Sequence, residues 1–134
     1  MSFDVFVQRF VDGQPAQADS AALHALVAPH VLRTEPEFNF AELGFEDGTA
    51  DLYGIGDLAT GFMVNHVSGE LAWDLFAQVL EVGSMTLLPM GVPAIVCSEA
   101  VRAHLPDDFI AGAVIVSSGA PLPRRERVTE FRPR

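Results

Sequence analysis

Residues 61–88 read GFMVNHVSGELAWDLFAQVLEVGSMTLL, and the change of period along them decides the fold. Gly61 to Val67 is a short apolar run and reads as a strand. From Gly69 to about Val82 the period becomes helical. Leu71, Leu75, Val79 and Val82 fall on one line, Ala72, Phe76 and Leu80 on the next, and Glu70, Asp74, Gln78 and Glu81 form a wet face. Trp73 joins the packing at the edge of that face. Ser68 is the predicted N-cap and Gly83 the predicted stop. Met85 to Leu88 is then a buried strand, broken by Pro89 to Pro93.

Outward from this unit the chain alternates similar pieces. Phe3 to Val11 places Phe3, Val5 and Val7 on one side and Asp4, Phe6 and Gln8 on the other, a strand with one wet or partner-covered face. Asp12-Gly13 turns the chain, and Gln14 to Asp19 reads as a polar connector. Ser20 is the expected N-cap of a helix carrying Leu23, Leu26 and Val27, which ends by Pro29. Thr34 to Glu37 reads as loop, and Phe38 to Leu43 as a strand. Asp47-Gly48 marks a hairpin whose glycine supplies positive φ, with Ala50 to Tyr53 returning. Beyond the central unit come a strand at Ala94 to Cys97, a short helix from Ser98 to about Leu105 stopped by Pro106, and a last strand at Ala113 to Val116. The expected fold is α+β: one domain, a mainly antiparallel sheet of about five to seven strands, and two main helices and one short helix packed on one face. Some parallel pairing around the 69–82 helix fits the pattern.

Composition narrows the function classes. The chain has 134 residues, 49% of them hydrophobic and 19% charged, enough for one self-sufficient core. Apolar runs stop far short of the ~20 residues of a membrane span. Met1-Ser2-Phe3-Asp4 has no basic stretch before an apolar one, so no leader is expected. Cys97 is the single cysteine and excludes an internal disulfide. A cytoplasmic protein is expected.

The charge is uneven. The net charge is −10 and every basic side chain other than histidine is arginine. Residues 1–123 carry three Arg against sixteen acids, a net −13, and residues 124–134 carry five Arg against two acids, a net +3. The division predicted is an acidic domain over 1–123 and an Arg-rich C-terminal arm over 124–134. An acidic body disfavours nucleic-acid backbones and favours encounter with a basic protein surface. Solubility alone also accounts for it. In the arm, Arg124, Arg125, Arg127, Phe131 and Arg132 are candidate partner-binding residues, with Val128 and Phe131 as apolar anchors. Such an arm suits an acidic surface of its own body or of a second copy in a homodimer.

Chemistry-bearing residues are few. Cys97 ends a strand just before a helix, where a thiol is activated, and His66 or His104 could serve it as base. The competing reading is a small buried core residue. His66 beside Asp74 would make a carboxylate-oriented imidazole, if both face one pocket. A histidine there equally well caps the following helix. His24, His30, His66 and His104 lack metal-ligand spacing, so no metal is expected. Asp47, Asp51 and Asp57 do not make a calcium loop, and Gly54 and Gly56 do not complete a dinucleotide loop, so no cofactor is expected.

The blocks Asn65-His66-Val67-Ser68-Gly69, Trp73-Asp74, Leu88 to Pro93 and His104-Leu105-Pro106-Asp107, closing on Ser118-Gly119, occur in an order that resembles a group of short acidic proteins of GC-rich, actinobacterial-type bacteria. The resemblance implies a shared fold over most of residues 1–120 and carries over no catalytic residue. No motif specifies an activity. The expectation is a non-enzymatic, protein-binding domain that docks a basic partner, an immunity-type neutraliser of a basic toxin being one form. The alternative is a small enzyme or ligand-binding domain with a cleft around His66, Asp74 and Cys97.

Overall fold

The structure, a computed structural model, describes residues 3–116. Ser118-Gly119 and the Arg-rich arm lie outside the described residues. In chain order the elements are β1 (Val5–Val11), β2 (Gln14–Ala16), α1 (Ser20–Val27), β3 (Val31–Glu35), β4 (Phe40–Phe45), β5 (Gly48–Tyr53) and β6 (Phe62–Asn65). There follow α2 (Leu71–Gly83), β7 (Thr86–Pro89), β8 (Ile95–Val96), α3 (Glu99–Arg102), α4 (Asp107–Ile110) and β9 (Val114–Ile115). The fold is α+β, as the periodicity requires. Its strands form one sheet in the order β3-β4-β5-β6-β1-β7-β8-β9, with β2 hairpinned onto the end of β1.

The 61–88 unit sets this topology. Strands β6 and β7 both run antiparallel to β1 and flank it. They are therefore parallel to each other with β1 inserted between them, a split β-α-β unit whose crossover is α2. The parallel pairing expected around α2 thus exists as direction without a direct ladder. The one parallel ladder among the described residues is β8 with β9, at the sheet edge.

Alternation along the strands sends one set of side chains to a first face, under α1 and α2. Val5, Val7, Ala41, Leu43, Leu52, Val64 and Leu87 meet Leu23, Val27, Trp73, Phe76 and Leu80 there. Trp73 and Phe76 pack edge to face at 5.6 Å. The opposite, second face is covered at one end, where Phe10, Ala94, Val96 and Leu105 form a small cluster with Val101 of α3 and Ile110 of α4. The two main helices share one face, and the short pair sits on the other.

Several local readings are corrected. The cap of α1 is Asp19, whose Oδ1 accepts from the Ala22 amide at 3.1 Å; Ser20 is already the first helical residue. Ser68 does not cap α2. Its Oγ accepts from the Thr49 amide at 2.9 Å, because left-handed backbone at His66 (φ 49°) and Gly69 (φ 79°) turns it toward β5. The cap comes from the β4–β5 turn instead: Asp47 Oδ2 accepts from the Glu70 amide at 2.6 Å and the Leu71 amide at 3.2 Å. Gly48 is required for room rather than for φ, since a Cβ there would lie 2.2 Å from the Ser68 carbonyl oxygen. Positive φ belongs to the other hairpin, at Asp12 (51°) and Gly13 (79°) between β1 and β2. Gly83 stays helical, pressed against Met85 and Leu23, and Ser84 takes the left-handed terminal position.

Strand β2 occupies the segment that read as a connector, β3 ends in Thr34 and Glu35, which read as loop, and Asp107 to Ile110 is helical after Pro106 rather than beyond a stop. Among the described residues the strand count of nine exceeds the expected range by these two, β2 and β3.

Asp47→Ala is expected to lower unfolding free energy by about 1 kcal/mol in urea titration, the cost of losing a helix cap. Gly48→Ala is expected to cost about 1–3 kcal/mol, since the backbone must move to admit the methyl group. An Asp47→Ala variant as stable as the parent would show that α2 does not depend on the hairpin.

Candidate protein-interaction face

The cross-strand register lines up two rows on the second face. Phe40 pairs with Tyr53, Tyr53 with Met63, Met63 with Phe6, and Phe6 with Leu88, so an apolar row crosses β4, β5, β6, β1 and β7. Phe6 is 44% exposed although it sits on the central strand, while its neighbours Val5 and Val7 are sealed beneath the helices. A groove of about 510 Å³ runs along this row, lined by Phe6, Phe10, Pro15, Tyr53, Met63 and Leu88.

Two residues along each strand lies a polar row. Arg33 pairs with Glu42, Glu42 with Asp51, and Asp51 with Asn65. Asn65 Nδ2 donates to Asp4 Oδ1 at 3.1 Å, extending the row to β1. Asn65 is 8% exposed, and its Oδ1 has no hydrogen-bond donor among the described residues. Glu35, opposite Phe40, adds a fourth carboxylate. His66 Nδ1 lies 2.9 Å from Asp51 Oδ2. At the groove rim Thr60 Oγ1 donates to Asp57 Oδ2 at 2.6 Å.

The basic side chains of the described residues are held locally. Arg33 binds Glu35 and Glu42 and lies over the Phe40 ring at 5.2 Å. The Glu35 hydrogen bond raises the Arg33 pKa above its ordinary value. Arg102 binds Glu99, and the Arg9 guanidinium donates to the Gln17 carbonyl at 2.9 Å. Four carboxylates on the second face (Asp4, Glu35, Glu42 and Asp51) therefore stand against Arg33 alone among arginines.

The residues proposed for catalysis are distributed differently. His66 pairs with Asp51 on the second face. Asp74 lies on α2, over the first face, where it lines a cleft of about 700 Å³ with His30, Leu32, Phe45, Leu71 and Gln78. His30 stacks on Phe45 at 4.8 Å in this cleft. The Cys97 thiol donates to the Leu80 carbonyl at 3.6 Å, in the last turn of α2, about 9 Å of helix rise from Asp74. That carbonyl already accepts from the Ser84 and Met85 amides that close the helix, so the thiol adds a further contact at a capped end, a packing role. His104, the other base considered for Cys97, accepts from the Asp12 amide at 3.1 Å through Nδ1 and braces the β1–β2 turn. The structure brings no two of His66, Asp74 and Cys97 together. Among the described residues no group of three or more His, Cys, Asp or Glu is placed to hold a metal ion, and no helix is long and apolar enough to cross a membrane.

No protein-family model, curated protein or solved structure matches the chain. The face is therefore read from its own residues. Its apolar row escapes the sequence reading because it exists only once five strands are in register. The one local signal was Phe6, an aromatic side chain on the polar side of an alternating strand.

Leu87 and Leu88 are adjacent residues of one type on opposite faces, which gives an internal control. Leu87→Ala, fully buried, is expected to cost about 2–5 kcal/mol of unfolding free energy. Leu88→Ala is expected to cost less than half as much, since part of its surface already meets solvent. Equal losses would mean that the second face is covered in the free protein.

Proposed function

We propose that the protein is a non-enzymatic interaction domain whose second sheet face docks a basic protein surface. The observation that carries this is the pairing of rows: an apolar strip of Phe6, Tyr53, Met63 and Leu88 beside a carboxylate strip of Asp4, Asp51 and Glu42. Aromatic and methionine side chains supply desolvatable area at interface centres. Carboxylates beside them steer a cationic partner and fix its register, while adding less to affinity than burial does. The acidic body supports the same reading, since its field accelerates encounter with a basic surface. Neutralising a basic toxin by covering its cationic surface is one form such an interaction takes. A reducing cytoplasm suits the single thiol at Cys97.

The test is affinity capture from the native host at stepped salt. Three baits are compared: the parent chain, an Asp4→Asn/Glu42→Gln/Asp51→Asn variant, and a Phe6→Ser/Met63→Ser variant. A basic protein is expected on the parent, with retention falling at least about tenfold, or 1.4 kcal/mol, on either variant. Retention should also fall as salt shortens the Debye length from about 10 Å at 0.1 M to about 3 Å at 1 M. Capture indifferent to both variants would end this reading, and capture indifferent to salt would end its electrostatic part.

A further inference from the structure

We propose that the second face holds a specific seat for one arginine side chain of the partner. Its guanidinium donates to Asn65 Oδ1 and the Asp51 carboxylate and lies over the Tyr53 ring. The seat rests on the reading of that face as a dock for a basic protein, and gives the partner a residue type. Three observations carry it.

The first is an unmet acceptor. Asn65 is 8% exposed, its Nδ2 donates to Asp4 Oδ1 at 3.1 Å, and its Oδ1 is buried with no donor among the described residues. The oxygen and nitrogen of an amide diverge from one carbon. With Nδ2 turned toward Asp4 on the β1 side, Oδ1 is left on the β5 side, where Asp51 is the direct cross-strand neighbour. An amide oxygen beside a carboxylate makes two acceptors with no hydrogen between them. Leaving a buried acceptor unpaired is costly, and a donor brought by a partner removes that cost. His66 Nδ1 meets Asp51 Oδ2 at 2.9 Å. A carboxylate has two oxygens and several lone pairs, so it has capacity for a second donor.

The second is a precedent on the same face. Arg33 binds Glu42 through Nε at 3.2 Å and lies over the Phe40 ring at 5.2 Å. Phe40 and Glu42 are two residues apart on β4 and so share a face. Asp51 and Tyr53 repeat this pair on β5, each directly opposite its counterpart, Asp51 to Glu42 and Tyr53 to Phe40. Tyr53 also lines the groove. The acid-and-ring arrangement therefore occurs twice in register. Among the described residues Arg33 fills the first and no arginine fills the second, because Arg102 is held by Glu99 and Arg9 by the Gln17 carbonyl.

The third is the donor that fits. The acceptors stand on neighbouring strands, β5 and β6, which lie about 4.8 Å apart. A guanidinium is planar, presents five N–H donors in a fixed fork and stacks on rings, whereas an ammonium is a compact, strongly hydrated point charge with no flat face. Among the described residues no group of three or more His, Cys, Asp or Glu is placed to hold a metal ion. The seat suits arginine over lysine.

The experiment titrates the isotope-labelled full chain with acetyl-Gly-Arg-Gly amide and, at equal ionic strength, with acetyl-Gly-Lys-Gly amide. Signals of the Asn65 side-chain amide and of the Asp51 and Tyr53 backbone amides are followed. Saturable shifts are expected with the arginine peptide, and several-fold weaker binding of the lysine peptide. Asn65→Leu removes the acceptor without changing the charge of the face, and Asp51→Asn removes the carboxylate while keeping its shape. Each is expected to weaken the arginine peptide about tenfold, or 1.4 kcal/mol, read at Tyr53. No saturable shift, equal affinity for the two peptides, or undiminished arginine binding in either variant would overturn the proposal. Undiminished binding in Asn65→Leu would assign Oδ1 to an internal water instead. If Asn65→Leu does not fold, the parent titrations and Asp51→Asn decide. Asn65→Leu also serves as a further bait in the capture experiment above. If Phe6→Ser/Met63→Ser loses the partner while a folded Asn65→Leu retains it, the docking reading stands and this seat falls.

Discussion

One carboxylate joins the sheet to the start of its main helix. Asp47, in the two-residue turn between β4 and β5, accepts from the first amides of α2. Those amides carry the positive end of the helix dipole, and no side chain of the cap residue itself serves them. Ser68 returns the contact by accepting from the Thr49 amide, and its own amide donates to the Thr49 carbonyl at 2.8 Å. The hairpin and the entry to α2 are thereby clamped, with Gly48 and Gly69 leaving the room that the close approach demands. The clamp fixes the start of the crossover between β6 and β7. The clamped hairpin also carries the rows across the sheet, through the ladders of β4 with β5 and of β5 with β6.

Much of the fold was legible from local signals. The α2 stripe is strong enough to read without knowing its neighbours, and the apolar runs around Val64, Leu87 and Ile95 are true strands. The misreadings concern contacts that are distant in sequence. Ser68 is a sound local cap, but Asp47 lies closer to the free amides once the hairpin folds back. Asp47-Gly48 has a hairpin signature for the wrong reason, since its glycine answers a steric demand from Ser68. Strand β3 is an edge strand with Leu32 exposed and Arg33 and Glu35 outside, so it has little alternation to detect. The site was less legible than the fold. His66, Asp74 and Cys97 look like neighbours when strand order is unknown; in the folded chain a sheet lies between His66 and α2, and a length of helix separates Cys97 from Asp74. The Phe40-to-Leu88 row is invisible to any local window, because each of its members comes from a different strand.

Charge and packing act at different ranges on this molecule. The acids are spread along the chain and give a long-range field, while the arrangement of Asp4, Glu42 and Asp51 beside an aromatic strip is short-range and depends on register. A field alone would serve solubility. Under the proposed docking function, the field would serve approach and the apolar strip contact, and these are physically separable contributions.

The two margins of the sheet complete the picture. At one margin β3 presents Arg33 and Glu35 joined to each other and to Glu42; at the other β9 offers a ladder only two residues long. Neither is a good template for adding another strand, since pairing there would have to strip water from a charged network or settle for two ladder residues. Among the described residues, the open backbone groups that drive runaway strand stacking are thus guarded at the β3 and β9 margins. The broad apolar face, rather than either of these rims, is then the surface that the described sheet leaves open to contact.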